Sequence, residues 1–442
     1  MLGAMSVRKV FLFIIILASL IAMPIKGFSE GENGKPLNVS GRWELGVKVY
    51  LRDVGDSPFN QTNILSIRTN EEYLLNSFEL KMNLYDFFYG YVRTEGIYGL
   101  EKNRLANSSS SNNFLSINVL LPYDDNFVYW TFTEWRGEFN IYGVFLGLGR
   151  TLFSPSPAKV FKIVNFQNEV FGDNKLQTWL NWDMGDYFVR LSYAPRDKDI
   201  PKFFEYSTNS LEGEDMVYFE LGGMISTFEV GLNGFWDTNF GVGFWSETSL
   251  GERATLYSQF SAMDKAWILK PDLENKSFNL SKPKGFDITY KFSLGGSYHL
   301  PELFGTLYLE WVYNFGGLNG EDWDDYKKLS DELRAITGYG IFYAVSQYIN
   351  FLFNFRVMEY SLMYSVLHWQ VDNSLLEGFD AGVSFVWSYP SDFLTHVEVK
   401  YDSPWGFFVK GEGVVLLPNG GEFSLLPSRY FGNIYLGWAY NF

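Results

Sequence analysis

An all-β fold, an up-and-down antiparallel β-barrel with an even number of strands, is what three features of this 442-residue sequence predict. Apolar and polar residues alternate with period two through most of the chain. Tight turns and long polar connections also alternate between the alternating segments. Finally, the composition combines 19% aromatic residues with only 19% charged ones, which is low in charge for a soluble chain of this length.

The alternation is read directly from the segments. In 42–51, Trp43, Leu45, Val47, Val49 and Leu51 share one face, and Arg42, Glu44, Gly46, Lys48 and Tyr50 share the other. In 78–85, Phe78, Leu80, Met82 and Leu84 oppose Glu79, Lys81, Asn83 and Tyr85. Segments 176–183, 187–193, 216–222, 228–236, 287–298 and 395–401 repeat the pattern. Successive strand side chains point to opposite faces, so each segment places one face in an apolar medium and the other in water.

Short turns are expected at Tyr85-Asp86-Phe87, Arg136-Gly137-Glu138, Met184-Gly185-Asp186 and Ser226-Thr227. Longer polar stretches fill 53–71, 99–123, 150–173, 195–213, 263–284 and 316–337. A sandwich would also show many short strands, but with less regular loop asymmetry and fewer large aromatics at strand ends. A propeller would need a repeat of about 40–50 residues, and none is present. The best strand count is 18, within 16–20, because alternation weakens over 99–123 and 338–371. At 18 strands the chain has no room for a separate plug domain.

The N-terminus has the layout of an export signal. Arg8 and Lys9 precede the uncharged apolar run Val10 to Met23, which is short for a membrane helix of about 20 residues. Cleavage is expected after Ser29, which leaves a barrel over 30–442. Losing Arg8, Lys9 and Lys26 takes the 35 basic residues to 32 against 51 acids, a formal charge of −19. An acidic exported chain is a poor partner for nucleic acid. Zero cysteines exclude thiol catalysis, iron–sulfur clusters, disulfides and lipidation at a signal cysteine.

The last strand carries the sharpest local pattern. Ile434, Leu436, Trp438, Tyr440 and Phe442 alternate with Asn433, Tyr435, Gly437, Ala439 and Asn441. Gly437, Tyr440 and the terminal Phe442 resemble the assembly signal of Gram-negative outer-membrane β-barrels of the porin-like class. That resemblance implies a transmembrane barrel in the bacterial outer membrane, inserted by the barrel-assembly machinery and surrounded by outer-membrane lipid. A homo-oligomer is compatible with it. The physics agrees, because a sheet in lipid must close to satisfy its backbone, and Trp and Tyr suit its two interfaces.

Taken with that orientation, the inward face carries eight bases and eleven acids. The bases are Arg42, Lys48, Lys81, Arg93, Arg190, Lys291, Lys400 and Lys410. The acids are Glu44, Glu79, Glu95, Asp183, Glu220, Glu229, Glu247, Asp287, Glu310, Glu398 and Glu412. Charges facing lipid near the midplane would cost about 2–4 kcal/mol for Arg or Lys, so their parity argues for a wet interior. The third long connection, 150–173, is unusually apolar and is expected either to fold inward or to cap the rim. If it folds inward, Lys159 and Lys162 become constriction cations. The acidic stretch 319–332 reads as a solvated loop, since its spacing matches no calcium-binding loop.

No cofactor and no enzymatic activity are expected. His299, His368 and His396 lack the serine two residues away that barrel lipid hydrolases use, and no zinc, phosphate or dinucleotide motif occurs. The expected function is a porin-like channel for passive diffusion of small hydrophilic solutes. A hydrophobic-substrate channel and a structural or adhesive barrel stay open beside it.

Overall fold

A computed structural model describes residues 37–53, 70–84, 87–99, 128–150, 156–164, 176–195, 215–237, 239–264, 268–281, 288–336, 338–354, 358, 360–371, 376–426 and 428–442. The expected signal segment 1–29, its cleavage site and Asp287 lie outside these residues.

The strands are β1 (Leu37–Arg52), β2 (Asn70–Leu84), β3 (Phe88–Gly99), β4 (Val128–Ile141), β5 (Val144–Arg150), β6 (Leu176–Asp183) and β7 (Tyr187–Ala194). They continue as β8 (Met216–Ile225), β9 (Phe228–Trp236), β10 (Phe240–Leu250), β11 (Ala254–Met263), β12 (Ile268–Asp272), β13 (Ser277–Ser281) and β14 (Thr289–Leu300). The rest are β15 (Gly305–Phe315), β16 (Met363–Val371), β17 (Phe379–Ser388), β18 (Asp392–Asp402), β19 (Phe407–Leu417) and β20 (Tyr430–Asn441). Strands β12 and β13 form a separate hairpin, and the other 18 form one antiparallel sheet. Pairing of β1 with β20 closes it into a barrel.

Closure removes both sheet edges, so every wall strand has two neighbours. The outward face is apolar: Trp43, Leu45 and Val47 on β1, Phe244 on β10 and Trp438 on β20 are all exposed. The inward face holds buried polar residues such as Asn233, Gln259 and Ser293. Among the described residues no helix is long and apolar enough to cross a membrane.

Both ends of the sheet's chain path lie at the rim of short turns. The β4–β5 turn is Tyr142-Gly143, with φ of 53° and 84°, the paired left-handed geometry that matches strand twist in a two-residue hairpin. The turn expected at Arg136-Gly137-Glu138 is therefore corrected, because β4 runs straight through it. The cause is a β-bulge. Arg93 pairs Glu134 and Thr94 pairs Phe132, so Thr133 is an extra residue that shifts the inward parity by one. The turn at Met184-Gly185-Asp186 stands where the sequence puts it, with Gly185 at φ 85°.

The acidic stretch 319–332 is also corrected, from loop to helix: α1 (Gly320–Arg334). Asn319 caps it, its side chain accepting from Glu321 N at 2.9 Å and Asp322 N at 3.2 Å, and Asp322 accepts back from Asn319 N. Trp323, Tyr326, Leu329 and Leu333 recur at helical spacing and are buried, which leaves the acids on the outer side. Region 338–371 resolves into a second helix, α2 (Ile341–Asn354), followed by β16.

Candidate functional site: the barrel interior

Inside the wall, the half near the long connections differs from the half near the short turns. In the long-connection half, Phe161, Ile163 and Val164 from the third connection join Ile268 and Phe278 of the β12–β13 hairpin. Trp323, Tyr326 and Leu329 of α1 complete the inserted layer. These pack on inward wall residues Val312, Tyr364, Val366, Val386, Leu394, Val414 and Leu416. The Tyr326 hydroxyl donates to the Leu269 carbonyl, which ties α1 to the hairpin.

The described part of the third connection, 156–164, thus lies against the inner wall. Glu310 of β15 holds it there. Its carboxylate accepts from the backbone N–H of Lys159 at 2.6 Å, of Val160 at 3.0 Å and of Phe161 at 2.8 Å. The Tyr257 hydroxyl donates to the same carboxylate at 2.7 Å. Gln259 donates to Phe161 O at 3.0 Å, and Asn233 donates to Val164 O at 2.6 Å. Glu310 is only 1% exposed, so it is a buried anchor rather than a free wall charge. Lys159 and Lys162 are exposed on this segment, between buried Ala158, Phe161, Ile163 and Val164. Desolvation by the surrounding interior first, and then neighbouring Lys159, hold the Lys162 ammonium below the usual lysine pKa although its side chain reaches water, while Glu310 works the other way.

A second junction ties the β19–β20 connection to β18 and β16. Asp392 accepts from the backbone N–H of Asn419 at 2.5 Å, Gly421 at 3.1 Å and Phe423 at 2.6 Å. Glu422, which is fully buried, accepts from Met358 N at 2.7 Å, Ser361 Oγ at 3.1 Å and the Tyr364 hydroxyl at 2.5 Å. Burial pushes the Glu422 carboxyl up to about 7, against these hydrogen bonds.

The short-turn half is charged, and three groups of its ion pairs lie on the wall among the described residues, beside Glu229 and Glu247, which face each other in register. Across the seam, Arg42 pairs Glu44 at 2.6 Å and Asp402 at 2.8 Å. Lys410 pairs Glu44 at 3.0 Å, and Lys400 pairs Asp402 at 2.8 Å and Asp380 at 3.8 Å. On β2–β4, Lys81 pairs Glu79 and Arg93 pairs Glu95, each at 2.8 Å, and the Arg136 guanidinium lies 5.0 Å from the Tyr89 ring centroid. On β7–β8, Arg190 pairs Glu220 at 2.7 Å. Lys291 is buried, in register with Ser261 and Asn314.

A cavity of about 560 Å³ opens in this half, lined by residues of β1 and β16–β20 that include Lys48, Asp380, His396, Glu398, Lys400, Lys410 and Glu412. His396 Nε2 lies 3.1 Å from Glu412, which also accepts from Asn433 at 2.9 Å. Among the described residues no group of His, Asp and Glu could hold a metal ion.

The sequence-expected residues of the last strand close the wall. Phe442 N donates to Gly41 O at 3.1 Å and Gly41 N donates to Phe442 O at 2.9 Å. Phe442 stacks on Tyr440 and on Phe78, with ring centroids 6.1 and 6.2 Å apart. Gly437 faces Gly46 across the seam, and a side chain at Gly437 would strike the Phe408 ring.

Sequence reasoning overlooked Glu134, Arg136 and Glu138, because the bulge at Thr133 breaks the alternation just before them. It also overlooked the anchors Asp392, whose partners are backbone amides with no sequence signature, and Glu422, whose partners Met358 N, Ser361 and Tyr364 lie about 60 residues away in the chain.

No family model matches the chain, and no curated protein matches it by sequence. Solved structures do match in fold. The crystal structure of OccAB1 from Acinetobacter baumannii is similar at a TM-score of 0.53 and 11% identity, over 94% of this chain and 99% of that one. OccAB4 from the same organism is similar at 0.52 and 10% identity, over 92% and 98%. OccK5 (OpdH) from Pseudomonas aeruginosa is similar at 0.50 and 10%, again over 92% and 98%. At such identity the likeness is one of fold: this chain is a closed 18-stranded antiparallel barrel of the kind those structures have.

Proposed function

We propose that the chain is a porin-like outer-membrane channel for passive diffusion of small hydrophilic solutes. The observation that carries this reading is the closed wall, apolar outside, with a charged cavity of about 560 Å³ inside. A lipid-facing apolar band around a wet interior is the requirement for a membrane barrel, and a barrel of 18 strands is wide enough to keep an aqueous path. The fold likeness to Occ/Opd outer-membrane channels supports the same class. In this reading the short-turn rim faces the periplasm, and Arg42, Glu44, Lys48, Glu79, Lys81, Arg93, Glu95, Arg190, Lys400, Lys410, Glu398 and Glu412 line the path. Lys291 and Glu310 belong to the wall that supports it. Lys159 and Lys162 mark the narrowest point.

The apolar cluster of the long-connection half does not favour a hydrophobic-substrate channel. Its members are packed to 7% exposure or less, so it is a core rather than a conduit.

Planar-bilayer conductance of the refolded mature chain tests the function. Discrete ohmic steps are the expected result, and silence across repeated insertions overturns the reading. Assembly is tested separately by deleting Phe442. With its seam hydrogen bonds and ring contacts gone, the truncated chain should fail to reach the outer membrane. Normal surface levels would count against the terminal assembly signal.

A further inference from the structure

Two opposite charges that line the interior cavity form no ion pair in the wall among the described residues. Lys48 joins no ion pair among the described residues, and its ammonium sits 4.6 Å from the Tyr50 ring centroid. Glu398, exposed to the cavity, joins no ion pair and accepts no hydrogen bond among the described residues. Both line the same space. They do not neutralise each other, because β19 and β20 stand between their strands.

The register arranges the neighbouring charges into two rows. Lys400, Lys410, Tyr435 and Lys48 lie side by side across β18, β19, β20 and β1. Glu398, Glu412 and Asn433 form the adjacent row, two residues further along each strand. Two residues of strand separate the rows by about 7 Å. The cavity therefore has a lysine row, with Asp380 beside Lys400 at its end, and an acidic row facing one space, so that the three lysines of its lining meet three carboxylates. A space with no net charge offers a simple ion little attraction, and each ion that approaches one row also meets the like charge of the other.

We infer that this cavity is a binding site for small zwitterions, with the ligand's anionic group on Lys48 and its cationic group on Glu398. The inference rests on the channel reading for its role in transport, but the site stands as a binding site by itself. A dipolar ligand satisfies both unpaired groups at once, whereas a monoanion or a monocation leaves one of them uncompensated.

Three probes of one chain length separate these cases: 4-aminobutyrate, butyrate and n-butylammonium. Saturation-transfer NMR on the mature chain in detergent reads binding whether or not the chain conducts, and bilayer current reads conduction. The zwitterion should bind about tenfold more tightly than either simple ion. Lys48→Gln should shift the preference toward n-butylammonium, and Glu398→Gln toward butyrate. Opposite shifts cannot come from collapse of the cavity, which would weaken all three probes. If a glutamine variant loses all binding, the exchanged Lys48→Glu/Glu398→Lys chain decides. Recovery of the zwitterion supports the assignment, and no recovery overturns it. Equal binding of the three probes to the unaltered chain, or an unchanged order in both variants, also overturns it, even in a conducting channel. Zwitterion binding by a chain that carries no current supports the site and overturns the channel reading.

Discussion

Strand β19 shows two kinds of interior within one element. Its inward residues Lys410 and Glu412 stand in the charged cavity, and Val414 and Leu416, further along the same face, are buried under inserted connections. Strand β18 makes the same change, from Lys400 and Glu398 to Leu394. An inward face is polar where water reaches it and apolar where protein covers it. The difference teaches that the barrel has two solvents inside, and that the boundary is drawn by segments arriving from the third connection, the β12–β13 hairpin and α1.

The strongest way to break this division is to release the inserted segment. Glu310→Ala removes the acceptor for three backbone N–H groups and the Tyr257 hydroxyl. Stranding those donors should cost the local structure about 3–5 kcal/mol. Residues 156–164 should become sensitive to limited proteolysis, and single-channel conductance should rise, with the wall strands keeping their hydrogen-exchange protection. Unchanged proteolysis and conductance would show that the apolar packing holds the segment without its anchor.

A somewhat smaller effect is expected from Trp323→Ala on α1. Trp323 is 0% exposed, and removing a buried indole costs about 3–5 kcal/mol, part of which relaxation of an inserted helix recovers. Hydrogen exchange should quicken across 320–334 while β18 and β19 keep their protection. Equal loss of protection in those strands would mean that the two halves unfold as one unit.

These elements also show what was legible in advance. The wall could be read because one face of each strand meets lipid, which imposes period two on residues such as Trp43, Leu45 and Val47. The antiparallel order and a count of 18 within 16–20 follow from that signal together with the alternation of short turns and long connections, and the wall has 18 strands. The boundary inside was not read, although Val414-Val415-Leu416-Leu417 carries its trace: where both faces are apolar, the inner one must be covered. α1 was hidden because its acids dominate the composition of 319–332, while Trp323, Tyr326, Leu329 and Leu333 at helical spacing were not weighed. Arg136 was lost to a single extra residue, Thr133. The charged pairs of the interior lay on the expected parity, but pairing itself depends on cross-strand register, which alternation does not specify.

A pH-dependent sharpening comes next. Burial raises the Glu422 carboxyl to about 7, above its ordinary value of 4.5. The folded junction therefore binds more protons than the unfolded one between those values. Its stability is full below about 4.5, declines as pH rises through the window, and is constant above about 7. The span corresponds to about 3 kcal/mol as an upper order of magnitude. Intrinsic-rate-corrected hydrogen exchange at 360–364 should be slower at pH 5 than at pH 8, and Glu422→Gln should abolish the difference. A junction tighter at pH 8 would reverse the sign and discard the burial argument.

The smallest expected effect concerns Lys159 and Lys162, which carry charge from the apolar half toward the solute path. Charges at a constriction weigh more than charges spread along a wall, because ions pass them closely. Even so, a unit charge about 8 Å away in water contributes only about 0.5 kcal/mol, and salt at physiological strength screens beyond that distance. Lys159→Gln/Lys162→Gln should therefore shift the cation-to-anion permeability ratio by about twofold toward cations, as read from reversal potentials in a salt gradient. The shift should shrink in concentrated salt. Since desolvation and Lys159 lower the Lys162 pKa, the unaltered channel should also drift toward cations at a less alkaline pH than free lysine would require. A ratio that stays the same in the double variant, at low salt and neutral pH, would place both lysines away from the path and leave wall charges such as Lys48, Lys400 and Lys410 to set it.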